Sequence, residues 1–117
     1  MQQYTGGCHC GKVRYEVQAD IKSAIECNCS HCAMKGLLLV FVPKSDFSLI
    51  AGEDMLTEYR FNTKKIAHLS CSVCGVEAFG YGQNREGNPT VAINVRSIDG
   101  IDLENITRTP FDGKKLM

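Results

Sequence analysis

Seven cysteines carry the clearest chemistry in this chain, and they fall into three short groups. These are Cys8-His9-Cys10, Cys27-Asn28-Cys29-Ser30-His31-Cys32 and Cys71-Ser72-Val73-Cys74-Gly75. An odd number of thiols does not pair off into disulfides, and spacings this tight suit a metal ion better than a disulfide. Cys71 and Cys74 form a knuckle: two sulfurs three positions apart on a tight turn aim at one point. Gly75 then lets the chain leave in a conformation that other residues resist. A structural zinc takes four ligands, so the knuckle needs two more sulfurs from elsewhere.

Two segments can supply them. Cys27, Cys29 and Cys32 hold three sulfurs within one turn of chain and can close around an ion by themselves. The economical partition places Cys8, Cys10, Cys71 and Cys74 on one zinc and Cys27, Cys29 and Cys32 on another. The rival partition, in which Cys27 and Cys29 complete the knuckle, has acceptable spacing and stays open. Four thiolates also bind iron. Three protein ligands leave a coordination position for water or substrate, the arrangement of catalytic zinc. Zn²⁺ with three thiolates carries a net charge of −1. It is a weak activator of water and a good holder of a further soft ligand such as a substrate thiolate. A nearby cation would offset the added negative charge, and His31, Lys35 and Arg96 are the candidates for a catalytic role. A fourth protein ligand, from His31, His68 or a carboxylate, would instead close the site and make it structural. His9, between two ligands, is expected to point away from the metal. His68 alternates with Ile66 and reads as a structural histidine.

The elements that position these residues read as strands. Gly11 to Val17 alternates, with Val13, Tyr15 and Val17 on one face. Leu37 to Val42 is apolar on both faces and stops at Pro43. Phe47 to Ala51 and Thr57 to Phe61 look like a strand pair joined around Gly52-Glu53-Asp54. Ile66 to Ser70 leads into the Cys71 turn, and Val76 to Tyr81 leads out of it. Asn84 to Pro89 is a polar turn, and Thr90 to Val95 alternates again. No window of helical length shows a 3.6-residue stripe, and the Ile98, Ile101 and Leu103 region is at most a turn or short helix. Phe41, Phe79 and Tyr81 read as core or sheet-face residues and Lys64-Lys65 as a solvated turn. The expectation is an all-β, single-domain chain across 1–117, built as an antiparallel sandwich or barrel.

Composition narrows the function. The chain has 117 residues, and its 13 basic and 13 acidic side chains cancel. Nucleic acid is therefore not expected as a partner, because phosphate neutralisation needs a basic excess, nor is a polybasic membrane contact. No basic start followed by an apolar run opens the sequence, so a cytoplasmic location with reduced thiols is expected. No phosphate loop, nucleophile elbow or metalloprotease helix is present.

Gly6-Gly7-Cys8-His9-Cys10-Gly11-Lys12-Val13-Arg14-Tyr15 resembles the opening signature of the glutathione-dependent formaldehyde-activating enzyme family, which includes centromere-protein-V-like domains. Cys27 to Cys32 resembles its second motif, His68 to Gly75 its third, and Ala92 to Gly100 its Asn-Val-Arg segment. The resemblance covers nearly the whole chain. It implies a β-tent fold of short antiparallel strands with two zinc ions. It also implies a structural site at Cys8, Cys10, Cys71 and Cys74 and a catalytic one at Cys27, Cys29 and Cys32. The implied reaction joins the glutathione thiol to formaldehyde, giving S-hydroxymethylglutathione, formally a carbon–sulfur lyase in reverse. The expected partners are thus a small thiol and an aldehyde. Many members carry a basic or amide residue directly after the third cysteine of this motif; here Ala33-Met34-Lys35-Gly36 follows, with the cation shifted to Lys35. The alternative reading is a non-catalytic binding module stabilised by zinc.

Overall fold

A computed structural model describes residues 1–61 and 66–116, which leaves the expected Lys64-Lys65 turn outside the described residues. The strands are β1 (Gln2–Gly7), β2 (Arg14–Ala19), β3 (Ser23–Cys27), β4 (Leu39–Pro43), β5 (Phe47–Ala51), β6 (Leu56–Tyr59), β7 (Ala67–Cys71), β8 (Glu77–Gln83), β9 (Pro89–Asn94) and β10 (Thr107–Phe111). One short helix, α1 (Ser30–Lys35), and several single 3₁₀ turns complete the set. The protein is mostly β, as its alternating segments predict.

A three-stranded sheet runs β1-β2-β5 and a seven-stranded sheet runs β10-β3-β4-β9-β8-β7-β6. Alternation in β2 buries Tyr15, Val17 and Ala19 and turns Glu16 and Gln18 to solvent. That apolar face meets the larger sheet. The Phe47 and Phe79 rings lie 4.9 Å apart and Tyr15 sets its ring edge-on to Phe79 at 6.1 Å. Val91 and Ile93 of β9 complete the core between them. Pairing is antiparallel except between β3 and β10, which run parallel with Cys27 opposite Phe111.

One expected strand pair needs correction, and two elements carry no sequence signal. Phe47–Ala51 and the 57–61 segment do not pair: β5 joins β2 in the small sheet, and β6 joins β7 in the large one. Gly52, at φ 92°, and the following 3₁₀ turn carry the chain from one sheet to the other. Alternation marks a strand but does not choose its partner. The helix α1 was not expected, because six residues are too few to show a stripe. It is held by local devices: the Cys29 sulfur accepts from the Cys32 N–H at its start, and Gly36 closes it in the left-handed conformation. The edge strand β10 is exposed at every position and so carries no apolar signal.

Candidate metal centres and active site

Cys8 and Cys10 lie on the turn between β1 and β2. Cys71 ends β7 and Cys74 lies on the turn before β8. The two turns are built alike. Gly11 N–H donates to the Cys8 carbonyl and Gly75 N–H to the Cys71 carbonyl. Backbone N–H groups of Val13 and Val73 point at the sulfurs of Cys8 and Cys71 at 3.3 and 3.4 Å. The Cys8–Cys10 and Cys10–Cys71 sulfurs stand 3.5 and 3.6 Å apart. A disulfide brings sulfurs to about 2.05 Å. Four sulfurs at about 2.3 Å from a tetrahedral zinc stand about 3.8 Å from one another. The donor set therefore fits a closed four-thiolate metal site. Backbone N–H groups of Val76 and Cys10 on its sulfur pull the Cys74 thiol down to about 6. Despite the bond from the Lys12 backbone, burial and the neighbouring thiols push Cys10 up to about 11. Four sulfurs crowded this closely suit a shared cation.

The second group is assembled by β3, α1 and the C-terminal turn. Cys27 ends β3, Cys29 is the residue before α1, and Cys32 lies one helical turn further on and is buried. Their sulfurs lie within 4.8 Å of one another, and among the described residues no fourth His, Cys, Asp or Glu joins them. The Cys29 thiol is lowered against its burial by the Cys32 backbone N–H, whereas burial and the Cys29 sulfur raise Cys32. The chain after β10 packs over this group. Asn28 donates from its backbone to the Phe111 carbonyl at 3.1 Å and from its side chain to Asp112 at 2.9 Å. Gly113 lies so close that a Cβ there would stand 2.5 Å from the Cys27 sulfur. Beside these cysteines opens a cleft of about 560 Å³ lined by Cys27, Cys32, Ala33, Leu37, Pro110 and Phe111 among others. That volume is in the range of small-molecule sites. The partition of the cysteines is thus four and three, with the knuckle completed by Cys8 and Cys10.

The family model described as glutathione-dependent formaldehyde-activating enzyme matches residues 3–109. The chain belongs to that family. A crystal structure of a Rhodobacter sphaeroides protein, a structural-genomics target, is similar at 29% identity with a TM-score of 0.78. The match covers 90% of this chain and 99% of that one.

In this family member a third polar cluster lies on the other face of α1. Cys29 and Cys32 face the sulfur site, while His31 and Lys35, one turn apart, face β7 and β8. His31 Nε2 lies 3.3 Å from Glu77 Oε1 and His68 Nδ1 lies 3.4 Å from Glu77 Oε2. The Lys35 ammonium donates to Ser70 Oγ at 3.0 Å and Glu77 Oε1 at 3.1 Å. Burial disfavours the charge on Glu77, but bonds from His68 and Lys35 outweigh it and hold the carboxyl below its ordinary range. Burial, then His68, lowers His31. The rings of Tyr59 and Phe61 stack against His31, and the His68 ring lies tilted against it at 4.0 Å.

A β-bulge creates this cluster. Leu69 pairs with Phe79 but Ser70 pairs with Glu77, so Ala78 is the extra residue. Side chains of paired residues share a face. With unbroken alternation Glu77, two positions before Phe79, would fall on the core face with Leu69 and Phe79; the bulge sets it opposite Ser70, on the face of His68. The Glu77 carbonyl at the bulge is capped from the Asn-Val-Arg segment, where Asn94 donates to it at 3.0 Å. Sequence reasoning passed over Glu77 altogether, although an acidic residue inside the Val76 to Tyr81 segment, two positions before Phe79, was a usable signal.

Of the three expected catalytic residues, His31 and Lys35 come together on Glu77. Arg96 is exposed in the 3₁₀ turn after β9, its backbone N–H bonded to Asn94 Oδ1. His9 is exposed between its two cysteines, and His68 faces the cluster. Among the described residues, no helix is long and apolar enough to cross a membrane.

Proposed function

We propose that this protein is a zinc enzyme of the β-tent class that joins a small thiol to an aldehyde, a carbon–sulfur lyase run in reverse. A glutathione-like thiol and formaldehyde are its substrates. The observation that carries the reading is the trio Cys27, Cys29 and Cys32, gathered beside a cleft with no fourth donor among the described residues. Family membership supports it.

In this reading Cys8, Cys10, Cys71 and Cys74 hold one zinc as a structural clamp between the two sheets, and Cys27, Cys29 and Cys32 hold the other. Zinc bound by those three supplies a position that keeps an incoming thiol deprotonated. The cleft between α1 and β10 receives the body of the thiol. Its apolar wall of Ala33, Leu37, Pro110 and Phe111 holds the stem and limits water. The thiol sulfur forms a bond to the carbonyl carbon, the π pair moves to oxygen, and the thiol proton ends on that oxygen. Of the expected catalytic residues, His31 and Lys35 sit on Glu77 across α1 and Arg96 is exposed in the turn after β9, so none of the three lines this cleft.

The test follows adduct formation between glutathione and formaldehyde by NMR exchange. The intact protein accelerates it, and Cys29→Ser removes the acceleration while circular dichroism stays native. If the intact, metal-loaded protein accelerates adduct formation with no small thiol, the reading as an enzyme is lost and the zinc-stabilised binding module takes its place.

A further inference from the structure

We infer that His31, His68 and Glu77 form a third metal site, distinct from both cysteine groups and suited to a divalent first-row transition ion such as zinc or cobalt. The three residues come from α1, β7 and β8, and their ligand atoms lie within 4.8 Å of one another. The His31–Glu77 and His68–Glu77 separations of 3.3 and 3.4 Å are longer than charge-assisted hydrogen bonds, which run at about 2.7–2.9 Å. They match the edge of a tetrahedron around zinc, about 3.3 Å when nitrogen and oxygen ligands stand about 2.0–2.1 Å from the metal. The same comparison of edges describes the four-cysteine site.

The ring nitrogens that would ligate, His31 Nε2 and His68 Nδ1, are those already set against the two oxygens of Glu77. His31 Nδ1, on the other side of its ring, is buried without a hydrogen-bond partner among the described residues and stays outside the donor set. The stacked rings of Tyr59 and Phe61 wall the cluster with apolar surface, as around many metal sites.

The bulge at Ala78 gives the inference its structural logic. A buried carboxylate is costly to place, and this one is turned out of the core by a bulge at which Asn94 caps the Glu77 carbonyl. Lys35 balances the Glu77 charge when no ion is bound. Its side chain is 37% exposed, so it can swing to solvent when a dication arrives. The donor set also separates this site chemically from its neighbour. Two neutral imidazoles and one carboxylate leave Zn²⁺ at a net charge of +1, whereas three thiolates leave it at −1. The third site is therefore the stronger electrophile of the two, and it takes oxygen ligands such as water, a carboxylate or a carbonyl.

The experiment counts metal and does not need the activity proposed above. Protein purified without chelators is equilibrated with zinc, desalted and assayed for bound metal per chain. Three equivalents are expected for the unaltered protein and two for Glu77→Gln and for His68→Ala. Cobalt added to protein whose cysteine sites already hold zinc is expected to give d–d absorption without a thiolate-to-cobalt charge-transfer band. This readout uses the native chain and stands even if a variant fails to fold. Two equivalents with no cobalt spectrum, or a third equivalent that persists in both variants, overturns the site. Loss of thiol–aldehyde activity with the third metal present would sink the enzyme reading and leave this one intact.

Discussion

Gly113→Ala probes the roof of the three-cysteine site more sharply than changing a ligand would. An alanine Cβ there would sit 2.5 Å from the Cys27 sulfur and 3.4 Å from the Cys29 Cβ. Carbon and sulfur in ordinary contact stand roughly an ångström further apart than the first figure. Either the C-terminal turn lifts or the Cys27 side chain turns away. Overpacking of this kind costs about 1–3 kcal/mol. Because about 1.4 kcal/mol is a factor of ten, the metal at Cys27, Cys29 and Cys32 should bind roughly 5- to 150-fold more weakly. The assay is zinc transfer to a chromogenic chelator. The phase belonging to the three-cysteine site should advance by that factor, and the phase belonging to Cys8, Cys10, Cys71 and Cys74 should not move. Unchanged transfer, or equal acceleration of both phases, would refute the packing of Gly113 over Cys27.

Three further outcomes follow from the geometry. Cys71→Ser removes a ligand of the zinc clamp proposed between the turns of the two sheets. Structural zinc contributes about 10–16 kcal/mol, as much as a whole domain's stability, so the variant should show no cooperative thermal transition at 25 °C or above, while Cys29→Ser should keep one. Asn94→Ala leaves the Glu77 carbonyl buried without its donor and should cost about 1–3 kcal/mol, read from the urea midpoint. Asp99 is held below its ordinary range by Arg14 and then by the Thr5 hydroxyl at 2.9 Å. A depressed carboxylate contributes its stability above its unfolded pKa and loses it as pH falls through the folded value. Asp99→Asn should therefore flatten the decline in stability below about pH 4 and change its slope little near neutrality.

The three cysteine groups were legible in the sequence because residue type and spacing mark them. Spacing left open whether Cys8 and Cys10 or Cys27 and Cys29 complete the knuckle, and the fold gathers the sulfurs of Cys8 and Cys10 with those of Cys71 and Cys74. Strands with one buried face were equally legible, as Tyr15, Val17, Val91 and Ile93 show. What the sequence hid was pairing and local invention. Nothing in Phe47–Ala51 says that β2, not the next strand, is its neighbour. Helix α1 rests on the Cys29 cap and on Gly36, not on an apolar stripe. β10 is exposed along its length, and Gly113 matters only through its distance to a sulfur far away in the chain. Glu77 was hardest to see. Its orientation depends on one inserted residue, and a bulge has no composition of its own.

Cobalt substituted at the three-cysteine site, watched while glutathione is added, tests the central claim most directly. A centre with three protein thiolates and an open position should change its charge-transfer and d–d absorption as a fourth sulfur binds, saturably, and Cys29→Ser should abolish the response. A spectrum that already shows four protein ligands and stays fixed through the titration would contradict the account.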